Sequence, residues 1–135
     1  MSILDQMESL DGAQEPKVVE ANTECKIRIL DVKAGNDKNG NPYIMPRFEV
    51  VGEPLAKDFT KYLPVPNADL KREDLKKFER ARWDMTEFMT AFEIDPTRPG
   101  DPEDWTGKEG WAILGVSKSD EYGEQNFVKK FVRGH

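Results

Sequence analysis

The run ECKIRILDVK, Glu24 to Lys33, alternates apolar and charged side chains and then changes phase. Cys25, Ile27 and Ile29 share one parity, with Lys26 and Arg28 between them, whereas Leu30 and Val32 carry the apolar signal on the other. A regular strand cannot do this, because a shift of one residue exchanges the two faces. An extra residue in the strand restores the pattern and bends the sheet, so the slip predicts a β-bulge. The loop NDKNGN follows, and its Asn39-Gly40 pair is a hairpin-turn signal. The next strand is expected from about Pro42 to Val51, with Ile44, Phe48 and Val50 on one face and Tyr43, Met45, Arg47 and Glu49 on the other. Pro46 has no amide hydrogen for a central ladder and implies an edge or a second bulge.

A third strand is predicted for KDFTKYLPV, about Lys57 to Val65, ended by Pro64 and Pro66. A helix is predicted from about Leu70 to Ile94, where Leu75, Phe78, Met85, Phe88, Met89 and Phe92 recur at spacings of three and four. Asp69 suits its N-cap, Glu73 and Asp74 its early turns, and Asp95-Pro96 its end. After the acidic loop DPTRPGDPED comes WTGKEGWAILGV, with Ala112, Leu114 and Val116 facing one way and Trp111 and Ile113 the other. The turn SKSDEYGE leads into a last strand, QNFVKKFV. The order strand-strand-strand-helix-strand-strand, with a bent first strand, predicts an all-β barrel with one helix, the five-stranded OB fold. Such barrels bind oligonucleotides on the face of strands two and three, flanked by the loops between strands one and two and between strands four and five.

Net charge is −6, which by itself disfavours a nucleic-acid binder. Its distribution matters more. Residues 1–24 hold Asp5, Glu8, Asp11, Glu15, Glu20 and Glu24 against Lys17, so the rest of the chain has 19 basic and 20 acidic groups. Residues 1–22 are expected to be an acidic flexible leader or a weak helix, with Ile3, Leu4, Met7 and Leu10 at helical spacing, and residues 23–135 the folded domain. No apolar run approaches the ~20 residues of a membrane span, and the N-terminus lacks the pattern of a signal peptide. Cys25 is the single cysteine, which excludes an intrachain disulfide and suits a cytoplasmic protein with a plain buried thiol. His135, the last residue, is given no role.

Binding single strands without sequence preference needs cations along the phosphates and aromatic planes beneath the bases. The candidates are Lys26 and Arg28 on strand one, Lys38 at the loop tip, Tyr43 and Arg47 on strand two, Lys61 and Tyr62 on strand three, Tyr122 in the last hairpin and Lys129 on the last strand. Lys61 and Tyr62 have opposite parity, and Tyr62 is favoured for the groove because Phe59 and Leu63 read as core. Each has a plainer alternative. Tyr43 suits a half-buried strand position, Arg47 can pair with Glu49 or Glu53, and edge strands are often charged simply to block aggregation. Trp111 either plugs the barrel or lies in the groove, Trp105 covers the barrel beside Gly107, and Lys130 and Arg133 either extend the basic track or solvate an edge. Asp95, Asp101, Glu103 and Asp104 lack the spacing of a calcium loop and read as surface. With no internal histidine, nucleophile elbow or phosphate-cradling glycine loop, neither an enzyme nor a cofactor is expected.

The stretches KIRILDVKAGNDKNGNPYIMPRFEV, Trp105 to Leu114 and YGEQNFVKKFV resemble the small single-stranded-DNA-binding proteins of bacteriophages that carry an OB fold, over about residues 24–133. The resemblance implies coating and protection of single strands during phage DNA replication and recombination, in the cytoplasm of a bacterial host. It also implies recruitment of replication or recombination enzymes through a short acidic tail. Here the acidic segment is N-terminal and the C-terminus, KKFVRGH, is basic. A homo-oligomer is compatible with a free edge strand. The alternative is a protein-interaction or structural module on the same barrel.

Overall fold

The computed structural model describes residues 2–134, so His135 lies outside the described residues. The expected bulge is present. Strand β1 (Thr23–Asn36) pairs antiparallel with β2 (Pro42–Val50), and the register passes from Ile29 opposite Phe48 to Asp31 opposite Arg47. Leu30 is the extra residue, and the parity of β1 reverses after it. The β1–β2 connection is the five-residue Asp37–Asn41, tied by the Asp37 carboxylate, which accepts from the amides of Asn39 at 2.8 Å and Asn41 at 2.9 Å. Gly40 supplies the left-handed residue (φ +83°). Strands β5 (Glu109–Ser119) and β6 (Gly123–Val132) form the closing hairpin, and β5 also pairs with β1. The turn is tighter than SKSDEYGE suggested, with only residues 120–122 at its tip. A second bulge sets Lys130 opposite Ile113 and Val128 opposite Leu114, leaving Lys129 as the extra residue.

The third strand is divided into β3 (Phe59–Thr60) and β4 (Leu63–Pro64), both paired with β2. Pro46 explains the interruption. Its carbonyl accepts from the Lys61 amide at 3.1 Å, so its nitrogen faces the same neighbour and has no hydrogen to offer there. Pro46 therefore lies at neither an edge nor a bulge of its own strand; β1 pairs with it on one side and the third strand breaks on the other. The helix is likewise divided, into α1 (Ala68–Glu73) and α2 (Leu75–Ala91). Asn67 caps α1 in place of Asp69, and Asp74 leaves helical geometry to cap α2, its carboxylate accepting from the Lys77 amide at 3.1 Å. The break rotates the apolar stripe: Leu75, expected in the core, is 58% exposed, while Leu70, Phe78 and Ala81 form a small cluster of their own.

The main core is aromatic. Phe48, Phe88, Phe92 and Phe131 meet at ring separations of 5.2 to 6.3 Å, and Phe48 stacks on Phe92 with planes 16° apart. Trp105 closes one side, its indole N–H donating to the Pro99 carbonyl at 2.8 Å. Cys25 is buried, and burial pushes its thiol pKa up, with Glu53 and Glu24 adding to the effect. The result is a six-stranded, mostly antiparallel sheet in the order β3-β2-β1-β5-β6, with β4 beside β3 on β2. The sheet is open: no ladder joins β6 to β3 or β4 among the described residues, although Cα atoms of β3 and β6 approach within 8 Å.

The leader begins with a short 3₁₀ turn, Ile3–Gln6, rather than a longer helix, and Ile3, Leu4, Met7 and Leu10 are exposed. Its last residues belong to the body. Lys17 exchanges hydrogen bonds with Leu55 and Lys57, Val19 is held by the Asn126 side chain, and the Asn22 amide donates to Leu114 at 2.7 Å. No helix among the described residues is long and apolar enough to cross a membrane.

Candidate nucleic-acid interface

The outward parity of the sheet gathers one continuous face. From β1 it takes Lys26, Arg28 and, past the bulge, Asp31 and Lys33. From β2 it takes Tyr43, Met45, Arg47 and Glu49, and from β5 Glu109 and Trp111. Tyr43 lies opposite Gly35, where an added Cβ would stand 2.9 Å from the Tyr43 hydroxyl oxygen. The absence of a side chain at Gly35 thus lets the ring lie over β1. Tyr62 leaves the gap between β3 and β4 and packs on Tyr43, with ring centroids 4.8 Å apart and planes tilted by 38°. Tyr62 is 45% exposed. Its pKa is raised, first by burial and then by Asp37 and Tyr43, so its hydroxyl remains a neutral donor near pH 7.

Three cations of this face, Lys26, Arg28 and Arg47, are held by carboxylates. Arg28 grips Glu109 through Nε at 2.9 Å and Nη2 at 2.6 Å, and reaches Glu49 at 2.7 Å. Lys26 also meets Glu109, at 3.2 Å. Arg47 bonds Asp31 through Nε at 3.1 Å and Nη2 at 2.7 Å, and Asp58 at 2.9 Å. The sequence suggested Glu49 or Glu53 for Arg47. The bulge supplies Asp31 instead, and Glu49 serves Arg28. Hydrogen bonds from Arg28, then Lys26, hold Glu109 below the usual carboxylate range, and those from Arg47 do the same for Asp31. These side chains are between 30% and 51% exposed, so water screens every pair. Lys33, further along β1, has no ion pair among the described residues.

Five of the nine residues expected to bind thus share the face: Lys26, Arg28, Tyr43, Arg47 and Tyr62. Lys38 and Tyr122 stand at the tips of the two hairpins, which leave the β1 ladder from opposite ends, and Tyr122 is 63% exposed. Lys61 and Lys129 turn elsewhere and line a groove between α2 and β6. Lys129, the bulged residue, donates to the Asn22 side chain at 2.6 Å. Trp111 is the ring that the candidates lacked. It sits half-buried opposite Lys26, and its alternation with the buried Ala112 and Leu114 was the signal that assigns it outward. Asp95 and Asp101 act as turn acceptors for Thr97 and Glu103, and no group of three or more metal-ligating side chains occurs among the described residues. No protein-family model matches the chain, and no curated protein matches it.

Proposed function

We propose that this chain binds single-stranded DNA without sequence preference, with the bases stacking on the Tyr43–Tyr62 pair. That pair is the observation that carries the reading: two rings in contact, with Tyr62 45% exposed, on a face that also presents Arg47 and Lys33. Aromatic planes serve any base, which suits a coat of tolerant specificity. The architecture supports the same reading. Taking β3 with β4 as one strand broken at Pro46, and α1 with α2 as one helix broken at Asp74, gives the strand order of an OB barrel whose seam between β3 and β6 is unzipped. In this role the protein coats and protects single strands during replication and recombination in a bacterial host, with the acidic leader available to partner enzymes and the free edge of β6 to a second copy.

Titration of fluorescent oligo-dT at low salt tests the proposal. Tyr43→Ala or Tyr62→Ala should each weaken binding by about 1–3 kcal/mol while leaving the fold intact. Absence of binding by the wild-type chain refutes the proposal.

A second reading draws on the ion pairs. Lys26, Arg28 and Arg47 are matched by Asp31, Glu49, Asp58 and Glu109, so phosphate must displace a carboxylate wherever it reaches an arginine. A protein partner presenting both signs suits such a face. Capture of a protein with no retention of oligo-dT decides for it.

A further inference from the structure

Lys61 and Tyr62 are neighbours in the chain and serve different surfaces. Tyr62 stacks on Tyr43, whereas Lys61 lines a groove of about 390 Å³ between α2 and the edge of β6. The groove is the seam where the sheet fails to close. Trp83 of α2 lies in its wall and is 58% exposed, an unusual place for so large an apolar ring. The Arg133 guanidinium sits over the Trp83 ring at 5.9 Å and also reaches Glu87 at 3.4 Å. Lys129 and Lys130 line the opposite wall.

Charge separates this groove from the tyrosine face. Lys61, Lys129, Lys130 and Arg133 stand against Asp84 and Glu87, whereas on the tyrosine face Lys26, Arg28 and Arg47 are each matched by carboxylates. Lys61 and Lys130 have no ion pair among the described residues, so a phosphate there displaces nothing. Exposed tryptophan with surplus cations is the chemistry of a single-strand track, in which a base stacks and the phosphates on either side are neutralised.

We propose that the seam groove is a second stretch of the nucleic-acid path. Resting on the single-stranded-DNA reading above, this inference takes the strand from the Tyr43–Tyr62 pair over the β3–β4 break at Lys61 and onto Trp83. The interruption imposed by Pro46 is then functional, because Lys61 shares the parity of the buried Phe59 and Leu63 and the break lets it leave the core side for the groove.

Oligonucleotide length tests the path. Fluorescein-labelled dT of about 6 nucleotides covers one surface, and dT of about 20 exceeds the site size of a single OB module. In the full chain, Trp83→Ala should weaken the long oligonucleotide by about 5- to 150-fold and leave the short one nearly unchanged, while Trp83→Phe restores part of the loss. The double variant Lys61→Gln/Lys130→Gln should lower the slope of log K against log salt by about 1.4, two phosphate contacts at about 0.7 each. If wild type binds the long oligonucleotide and both variants match it in affinity and slope, the groove is no part of the path and the tyrosine-face reading survives. If wild type binds neither length, both readings fall together.

Discussion

Asn126 lies beneath the junction of leader and body, 4% exposed, and its amide works like a piece of strand. Its Oδ1 accepts from the Val19 amide at 2.8 Å, and its Nδ2 donates to the Val19 carbonyl at 2.9 Å and the Gly115 carbonyl at 3.0 Å. Only this orientation of the amide meets all three groups. Asn126→Ala removes three hydrogen bonds at about 1 kcal/mol each. Val19 is only partly buried, so water recovers part of the loss there, and the net cost should be about 2–3 kcal/mol. For a body of this size that corresponds to a Tm lower by roughly 8–15 °C. Asn126→Asp should be worse at pH 7, because it keeps the acceptor and turns an anion toward two carbonyls. Thermal unfolding gives the total, and native-state hydrogen exchange at the Val19 amide gives the local part: its protection should fall further than that of the β1–β2 ladder. A Tm shift under about 2 °C, or unchanged protection at Val19, refutes the clamp and makes residues 17–22 a passive strap.

Three further outcomes follow from the structure. An added Cβ at Gly110 would stand 2.6 Å from the Ala91 carbonyl oxygen and 3.2 Å from the Phe92 ring, and backbone cannot swing aside as a side chain can. Gly110→Ala should therefore destabilise by about 1–3 kcal/mol in urea unfolding, and a neutral result means that α2 can slide on β5. Asp31 and Glu109 have folded pKa values below their unfolded ones because Arg47 and Arg28 bond their charged forms, so the stability they add is present above the unfolded values and is lost as pH falls through the folded ones; carboxyl NMR titrations with midpoints at or above ordinary Asp and Glu values contradict the pairing. If Lys33, Lys38, Lys61 and Lys130 are the cations newly engaged by phosphate, log K for oligo-dT should fall with log salt at a slope of about −3; a slope near about −5 means that the paired cations also engage phosphate at no loss.

The strands were legible wherever their partners respect simple alternation. The phase slip at Leu30 announced the bulge, and the inward set of β2 was readable from parity alone. The broken third strand was not, because its cause lies in Pro46, on the neighbouring strand, and only the pairing shows which side of β2 lacks the donor. The broken helix was a local contest. Asp74 fits an early helical turn, yet its side chain satisfies the amide of Lys77 better as a cap, and an apolar stripe interrupted for one residue looks continuous in sequence. The docking of the leader rests on Val19 meeting a residue 107 positions away, which no local pattern encodes.

For the site, types and faces were readable and partners were not. The slip at Leu30 carried more information than its bulge, since reversing the parity after it moves Asp31 and Lys33 onto the face of Arg28 and Arg47. Asp31 then neutralises Arg47, while Lys33 has no ion pair among the described residues. The same consequence changes what a phosphate gains. At Arg28 or Arg47 it exchanges one anion for another, and the released carboxylate must find new counterions. At an unpaired lysine it adds a contact outright. If the chain binds single strands as proposed, affinity should come from the rings and from the unpaired lysines, while the arginine–carboxylate pairs tie β1 to β2 and β5. In the proposed role a chain with net charge −6 can hold a polyanion, because the surplus acid lies in the leader, while Lys33 lies on the sheet face, Lys38 at the hairpin tip, and Lys61 and Lys130 along the seam.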